Sequence, residues 1–414
     1  MPTAHAAARA VFVVFAASGF AFASWASRLP AVRDGLSFSE QEMGLLLLTG
    51  SIGSVAAIPV SGLVAERIGT ARTVLTFAGV LVAGLAVAGY GVATGESLMV
   101  RGGLILFGVG AGVWDAAMNL EGAAVEQRLG RAVMPIFHAG FSFGTVVGAG
   151  IGILVADAHV PVVWHVVGAG AVALVSVVVA TRYFSPTVVA ATLSDGAATA
   201  GVASADGADP GELTPPTSGV AGLLAAWREP RTLAIGLVVL AAALTEGVAN
   251  DWVSLAVVDG FDTSDGTGAV GLAVFLTAMT TARLLGTRAI DRFGRVPVLV
   301  LSALLAFVGV LTFALVPVLW VALVGVGLWG LGAAMGFPMG MSAASDEPRL
   351  AAMRVAAVST IAYTAFFVGP PLIGFVAHST GYRLAVLVLL VPMVLGLLVA
   401  RSVRPLPSAA GVKR

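Results

Sequence analysis

Twelve stretches of this chain run for about twenty residues each with scarcely a charge, and no other feature limits its fold so tightly. An α-helix rises about 1.5 Å per residue and a bilayer's hydrocarbon core is about 30 Å thick, so roughly 20 apolar residues make one crossing. The stretches are 9–29, 42–64, 73–94, 98–122, 134–156, 161–182, 232–256, 268–290, 296–317, 319–342, 355–377 and 383–402. Helices suit them and strands do not, because an open sheet edge in lipid would leave a row of backbone groups without partners. The expected fold is all-α and integral to the membrane, with twelve transmembrane helices. Composition agrees: 58% of the 414 residues are apolar and 11% are charged, where a soluble domain carries roughly 25% charged residues. Mean hydropathy is +0.99.

Several classes of function fall away at once. The 22 basic and 22 acidic residues cancel, so net charge offers no case for a nucleic-acid partner. The absence of cysteine excludes disulfides and thiolate metal sites. We find no Ser/His/Asp motif, no phosphate-binding Gly-x-x-x-x-Gly-Lys loop and no metal cluster, so an enzyme is not expected. Arg9 ahead of the apolar run from Val11 to Ala23 has the outline of a signal peptide, but eleven similar segments follow, and an uncleaved first span is the expectation.

Basic residues in short loops mark the cytoplasmic side of a membrane protein. With the N-terminus inside, 18 basic residues fall on the inner face and only Arg28, Arg33, Arg101 and Arg383 on the outer. An even number of spans and cytoplasmic termini follow. One long polar segment, 184–230, is built of Ala, Gly, Ser, Thr, Pro and Asp and cannot bury enough apolar surface to order itself. It reads as a flexible cytoplasmic linker between six-helix halves at 1–183 and 231–414.

The halves echo each other. Gly62-Leu-Val-Ala-Glu66-Arg67-Ile-Gly69 follows the second span, and Gly286-Thr-Arg-Ala-Ile-Asp291-Arg292-Phe-Gly294-Arg295 follows the eighth. A duplicated helical unit is a signature of secondary transporters. These turns resemble the hallmark of the major facilitator superfamily, although Glu66 replaces the usual Asp and Thr70 stands where Arg is common. Other strings resemble the superfamily's sugar-permease branch, which includes fucose permease. They are Ser24-Trp25-Ala-Ser-Arg28-Leu-Pro30, Asp115-Ala-Ala-Met-Asn119, His138-Ala-Gly-Phe-Ser142-Phe-Gly144, Glu246-Gly-Val-Ala-Asn250-Asp251-Trp252, and Tyr363 with Gly369-Pro370-Pro371. Drug–proton antiporters usually carry a proline motif in the fifth helix; Gly148-Ala149-Gly150-Ile151-Gly152 has none.

An ionisable group inside a span is costly unless paired or hydrated, so each is a functional candidate. Gly108, Gly112, Asp115 and Asn119 share one helix face, and Glu246 and Asn250 repeat the acid–amide spacing in the seventh span. The resemblance places both pairs on helices that line a central cavity. Asp115 lies about 21 Å from the outer end of its span and Glu246 about 21 Å from the inner end of its own. Asp115, Glu246 and Asp251 are therefore the candidate proton carriers. Trp25, Trp114, Asn119, His138, Asn250, Trp252 and Tyr363 are candidates for substrate contact, since a sugar ring offers an apolar C–H face and hydroxyls that need amides or carboxylates. Arg28 and Arg101, at outer span ends, are read as reaching to water. On the resemblance, Gly62, Glu66, Arg67, Gly69, Asp291, Arg292 and Gly294 form a gating latch in which an acid faces a helix N-terminus and nearby arginines.

The resulting expectation is a monomeric, multi-pass transporter of the bacterial plasma membrane. It carries a small polar solute such as a sugar by proton symport, with no cofactor beyond the proton gradient. Export of metabolites or drugs by proton antiport is the alternative within the same fold. A non-transporting membrane sensor is the alternative from another class.

Overall fold

The computed structural model describes residues 3–130, 133–184, 226–347 and 351–405, and among them every regular element is a helix. Most of the 184–230 segment lies outside the described residues. In chain order the helices are α1 (Ala4–Ala26), α2 (Leu29–Leu36), α3 (Glu40–Ile68), α4 (Thr70–Thr94), α5 (Ser97–Leu129), α6 (Met134–Asp157) and α7 (Val162–Ala180). There follow α8 (Pro230–Phe261), α9 (Asp265–Phe293), α10 (Arg295–Leu315), α11 (Leu319–Ala333), α12 (Gly336–Ala344), α13 (Ala351–Thr380), α14 (Tyr382–Ala385) and α15 (Leu390–Leu398). Among the described residues, ten helical segments are long and apolar enough to cross a membrane, and α3 is an eleventh if its bent halves count together. The shorter apolar run Tyr382–Leu398 supplies the twelfth stretch read from sequence.

Local chemistry sets where these helices start and bend. Ser39 and Glu42 close a reciprocal capping box that opens α3, satisfying two backbone donors that the first turn leaves free. Gly69 and Gly294, at φ +84° and +82°, turn the chain between α3 and α4 and between α9 and α10. Residues with a Cβ avoid that region, so glycine is required at both turns. Helix α3 bends by 57° between Ala57 and Val60, where Pro59 has no N–H to continue the ladder. Pro338 has the same effect at the break between α11 and α12. Pro392 cannot donate to Val388, and the backbone there passes from a 3-10 turn into α15.

Contacts gather the chain into two units, Met1–Leu213 with Thr263–Ala273, and Thr214–Asp262 with Val274–Arg414. Within the first, α1 packs on α6 and α7, α3 on α5, and α4 on α5 and α7. Small residues allow these approaches: a Cβ on Gly144 would collide with the Ala16 backbone of α1, and one on Gly108 with the Gly50 carbonyl of α3. The glycines beside Asp115 are thus packing surface against α3. Within the second unit, α8 packs on α12, α13 and α15, and α10 on α11. Trp329 lies between Phe275 and Phe313 and donates from Nε1 to the Thr245 carbonyl at 3.1 Å. Large apolar side chains also face outward: Leu154, Trp164, Trp320 and Leu398 are each at least 68% exposed. Lipid, not water, is the solvent that makes this stable.

Candidate functional site

The polar groups lodged in the spans fall into one constellation per unit. In the second unit, Glu246 sits about 24 Å along α8 from Pro230, deep in the span. Sequence reading took it for a lone carboxyl beside Asn250. Instead, both of its oxygens accept from Nη2 of Arg283 on α9, at 3.0 and 2.9 Å. The two side chains are 25% and 28% exposed, so the pair is not sealed into the packing. Arg283 escaped the sequence reading because it was counted with the basic cluster at the end of its span. It is ten residues short of Phe293, about 15 Å inside the helix end, and it is flanked by Ala282 and Leu284. That depth was the available signal.

The same helix face carries Asn250, whose Oδ1 is buried without a hydrogen-bond partner. Helix α13 supplies aromatic surface beside it. Phe366 lies 3.8 Å from where a Cβ on Gly247 would be, and it pairs with Tyr363 at 6.1 Å between ring centroids. Tyr363 and Phe366 are partly exposed. The structure therefore keeps Glu246 and Asn250 on one face of α8, pairs Glu246 with Arg283, and sets Phe366, with Tyr363 against it, beside Gly247. Asp251 lies farther around α8, half-buried, and makes no ion pair or hydrogen bond through its side chain among the described residues.

In the first unit, Asp115 is exposed on α5, and it makes no ion pair among the described residues. An ionisable group within a span is costly unless paired or hydrated, so Asp115 is a functional candidate. Asn119 donates from Nδ2 to the Asp115 carbonyl at 2.8 Å, which keeps the amide on the same turn. The bend in α3 falls just beyond Ser54, which packs against Gly112. Asp115 and Asn119 follow on the face past that contact. His138 on α6 is exposed and stands edge-on to Phe15, 5.2 Å away.

Other expectations need correction. Trp25, Trp114 and Trp252 are buried packing residues with at most 4% exposure, not ligand-facing surfaces. Trp252 stacks on Tyr382 at 5.3 Å. Arg28 does not reach to water: it is buried and donates to the Val160 carbonyl at 2.8 Å.

The candidate latch residues lie at the surface of their units. Gly62, Glu66 and Arg67 are exposed, as are Asp291, Arg292 and Gly294. Glu66 and Asp291 make no ion pair among the described residues, and Arg292 lies over the Phe293 ring at 5.2 Å. Nothing lies within 4 Å of a Cβ built on Gly62. Other acids meet helix ends and arginines within each unit. Glu126, at the end of α5, accepts the backbone N–H groups of Val133 and Met134 at 2.6 and 2.7 Å, capping α6. Asp346 joins Arg231 and Arg295, the second residue of α8 and the first of α10. Thr70, where Arg is common, donates its hydroxyl to the buried Glu121. Glu229 forms a forked pair with Arg354. Burial would raise its carboxyl, but the hydrogen bonds from Arg354 and Thr232 and the charges of Arg354 and Arg231 outweigh that and hold it below its ordinary value.

Apolar spans with accessible charged and amide groups in their interior define a multi-pass membrane transporter. The chain matches the family model described as Major Facilitator Superfamily over residues 10–348 and 235–413, and it belongs to that superfamily. It is therefore a transporter and not an enzyme. An uncharacterized transporter of Sinorhizobium fredii is 30% identical over 377 residues, covering 91% of this chain and 92% of that one. Among solved structures, the nucleoside transporter NupG matches with a TM-score of 0.71 at 13% identity, covering 96% of this chain and 98% of that one. The D-xylose-proton symporter matches with a TM-score of 0.70 at 15% identity, covering 99% of both. At such identities these two likenesses speak for the fold alone.

Proposed function

We propose that this protein takes up a small, hydroxylated solute by proton symport, through alternating access, in a bacterial plasma membrane. The observation that carries this reading is Asp115: a carboxylate within a span, exposed on α5 and without an ion pair among the described residues. Such a group can take a proton when one side of the membrane is open to it and give it up on the other. Glu246 no longer serves as the simple proton carrier, because its charge is engaged by Arg283. Each unit carries an amide suited to a substrate hydroxyl, Asn119 in the first and Asn250 in the second. Tyr363 and Phe366 offer the apolar face on which a sugar ring rests. The excess of basic residues on one side supports cytoplasmic termini, and we take the working unit to be a monomer of two halves, 1–183 and 231–414, joined by 184–230.

The test is flux in right-side-out vesicles under an imposed pH gradient, with a radiolabelled panel of sugars and sugar acids. Accumulation driven by external acid supports the proposal. Extrusion would replace it with antiport, and absence of flux across the panel would favour a sensor.

A further inference from the structure

We propose that Arg283 is the recognition point for a carboxylate on the transported solute, and that Glu246 is an internal stand-in for that carboxylate. The inference rests on the transport reading and narrows its substrate to hydroxylated carboxylates such as sugar acids. A guanidinium binds a carboxylate through two parallel N–H···O bonds, a geometry that neutral hydroxyls cannot reproduce. Both Glu246 oxygens lie within 3.0 Å of Arg283 Nη2. Arg283 makes no other side-chain hydrogen bond or ion pair among the described residues. With each side chain about a quarter exposed, the pair can be approached and exchanged rather than sealed into the packing.

The surroundings fit such a ligand. Asn250 is one turn from Glu246 on the same face, and its buried Oδ1 lacks a donor. A substrate hydroxyl would supply one. The Tyr363–Phe366 pair stands beside Gly247, where the apolar face of a ring would rest. A neutral sugar would have to leave the Glu246–Arg283 pair intact or strand a cation within the span, which is costly. A carboxylate replaces Glu246 like for like. Glu246 holds a single nitrogen, Nη2; every two-nitrogen fork of a guanidinium includes Nη2, so a substrate carboxylate and Glu246 compete for it.

Full-length protein purified in detergent is titrated with galacturonate and glucuronate, and separately with galactose and glucose, with thermal stabilisation as the readout. The acids stabilise the wild type, and the neutral sugars do so far less. Glu246→Gln keeps the shape and removes the competitor, so the acids bind roughly tenfold tighter or better, within the range of close charge-pair couplings. Arg283→Gln loses the response to acids. The double variant Glu246→Gln/Arg283→Gln removes both charges together and serves as the folded control, also without response. Equal response to acids and neutral sugars, unchanged affinity in Glu246→Gln, or no response to any acid overturns the assignment. Vesicle flux separates this from the broader reading: neutral-sugar uptake without acid binding leaves transport standing and removes the carboxylate. Acid binding without any flux does the reverse.

Discussion

Cutting the Glu246–Arg283 pair from either side tests whether it is a true charge pair in the span. The hydrogen bonds measure 3.0 and 2.9 Å. At an effective dielectric of about 20, opposite charges about 4 Å apart attract by about 4 kcal/mol. Desolvation offsets much of that, and breaking a fully buried pair costs about 3–5 kcal/mol because the survivor is left bare. Here the side chains are 25% and 28% exposed, so screening brings the expected loss to about 2–3 kcal/mol for Glu246→Gln or Arg283→Gln alone. The double variant leaves no bare charge and should lie within about 1 kcal/mol of wild type. Melting of the purified protein, followed by loss of monodisperse protein on size-exclusion chromatography, reads this directly. At roughly 2–4 °C per kcal/mol, each single variant should drop by several degrees and the double variant should recover most of that. Additive losses in the double variant would mean that the two residues do not depend on each other, and the reasoning about this pair would fail.

Three further outcomes follow from the geometry. Gly69→Ala and Gly294→Ala place a Cβ at φ +84° and +82° and should each cost about 1–2 kcal/mol, while Gly62→Ala should be neutral; equal effects in all three would be contrary. Glu126→Ala removes the acceptor for two backbone donors of α6, costs about 1–2 kcal/mol, and should lower the melting temperature, with Glu126→Gln recovering part of it. Because Glu229 is held below its ordinary 4.5, its contribution is fully present above that pH and is lost as pH falls through the lowered value. Glu229→Gln should therefore melt lower than wild type near neutrality and lose less on acidification below 4.5, and parallel melting curves across that range would refute the linkage.

The spans were legible because length and apolarity are local properties, and so were the turns at Gly69 and Gly294, where a glycine follows an acid–arginine pair. The partners of the polar residues were not. Which side of α8 meets α9 depends on how helices dock, and neither Glu246 nor Arg283 carries a local mark of its mate. The tryptophans misled for a related reason: an indole suits a sugar face, a membrane interface and a packed interior alike, and only tertiary contacts separate these. At Gly108 and Gly112 the spacing located a groove without telling that α3 fills it. Glu66 and Asp291 matched a recurring motif, yet the N-terminal end of α6 is capped by Glu126, and Asp346 pairs with the arginines that open α8 and α10.

Asp115 carries the central claim, and replacing it with Asn tests that claim most directly. Asn keeps the size and much of the hydrogen bonding of a protonated carboxyl but cannot titrate. In reconstituted vesicles, Asp115→Asn should still exchange labelled for unlabelled substrate, because exchange needs no net proton movement. Under an imposed inward proton gradient it should fail to accumulate substrate. Accumulation equal to wild type in Asp115→Asn would contradict the account and turn attention to Asp251.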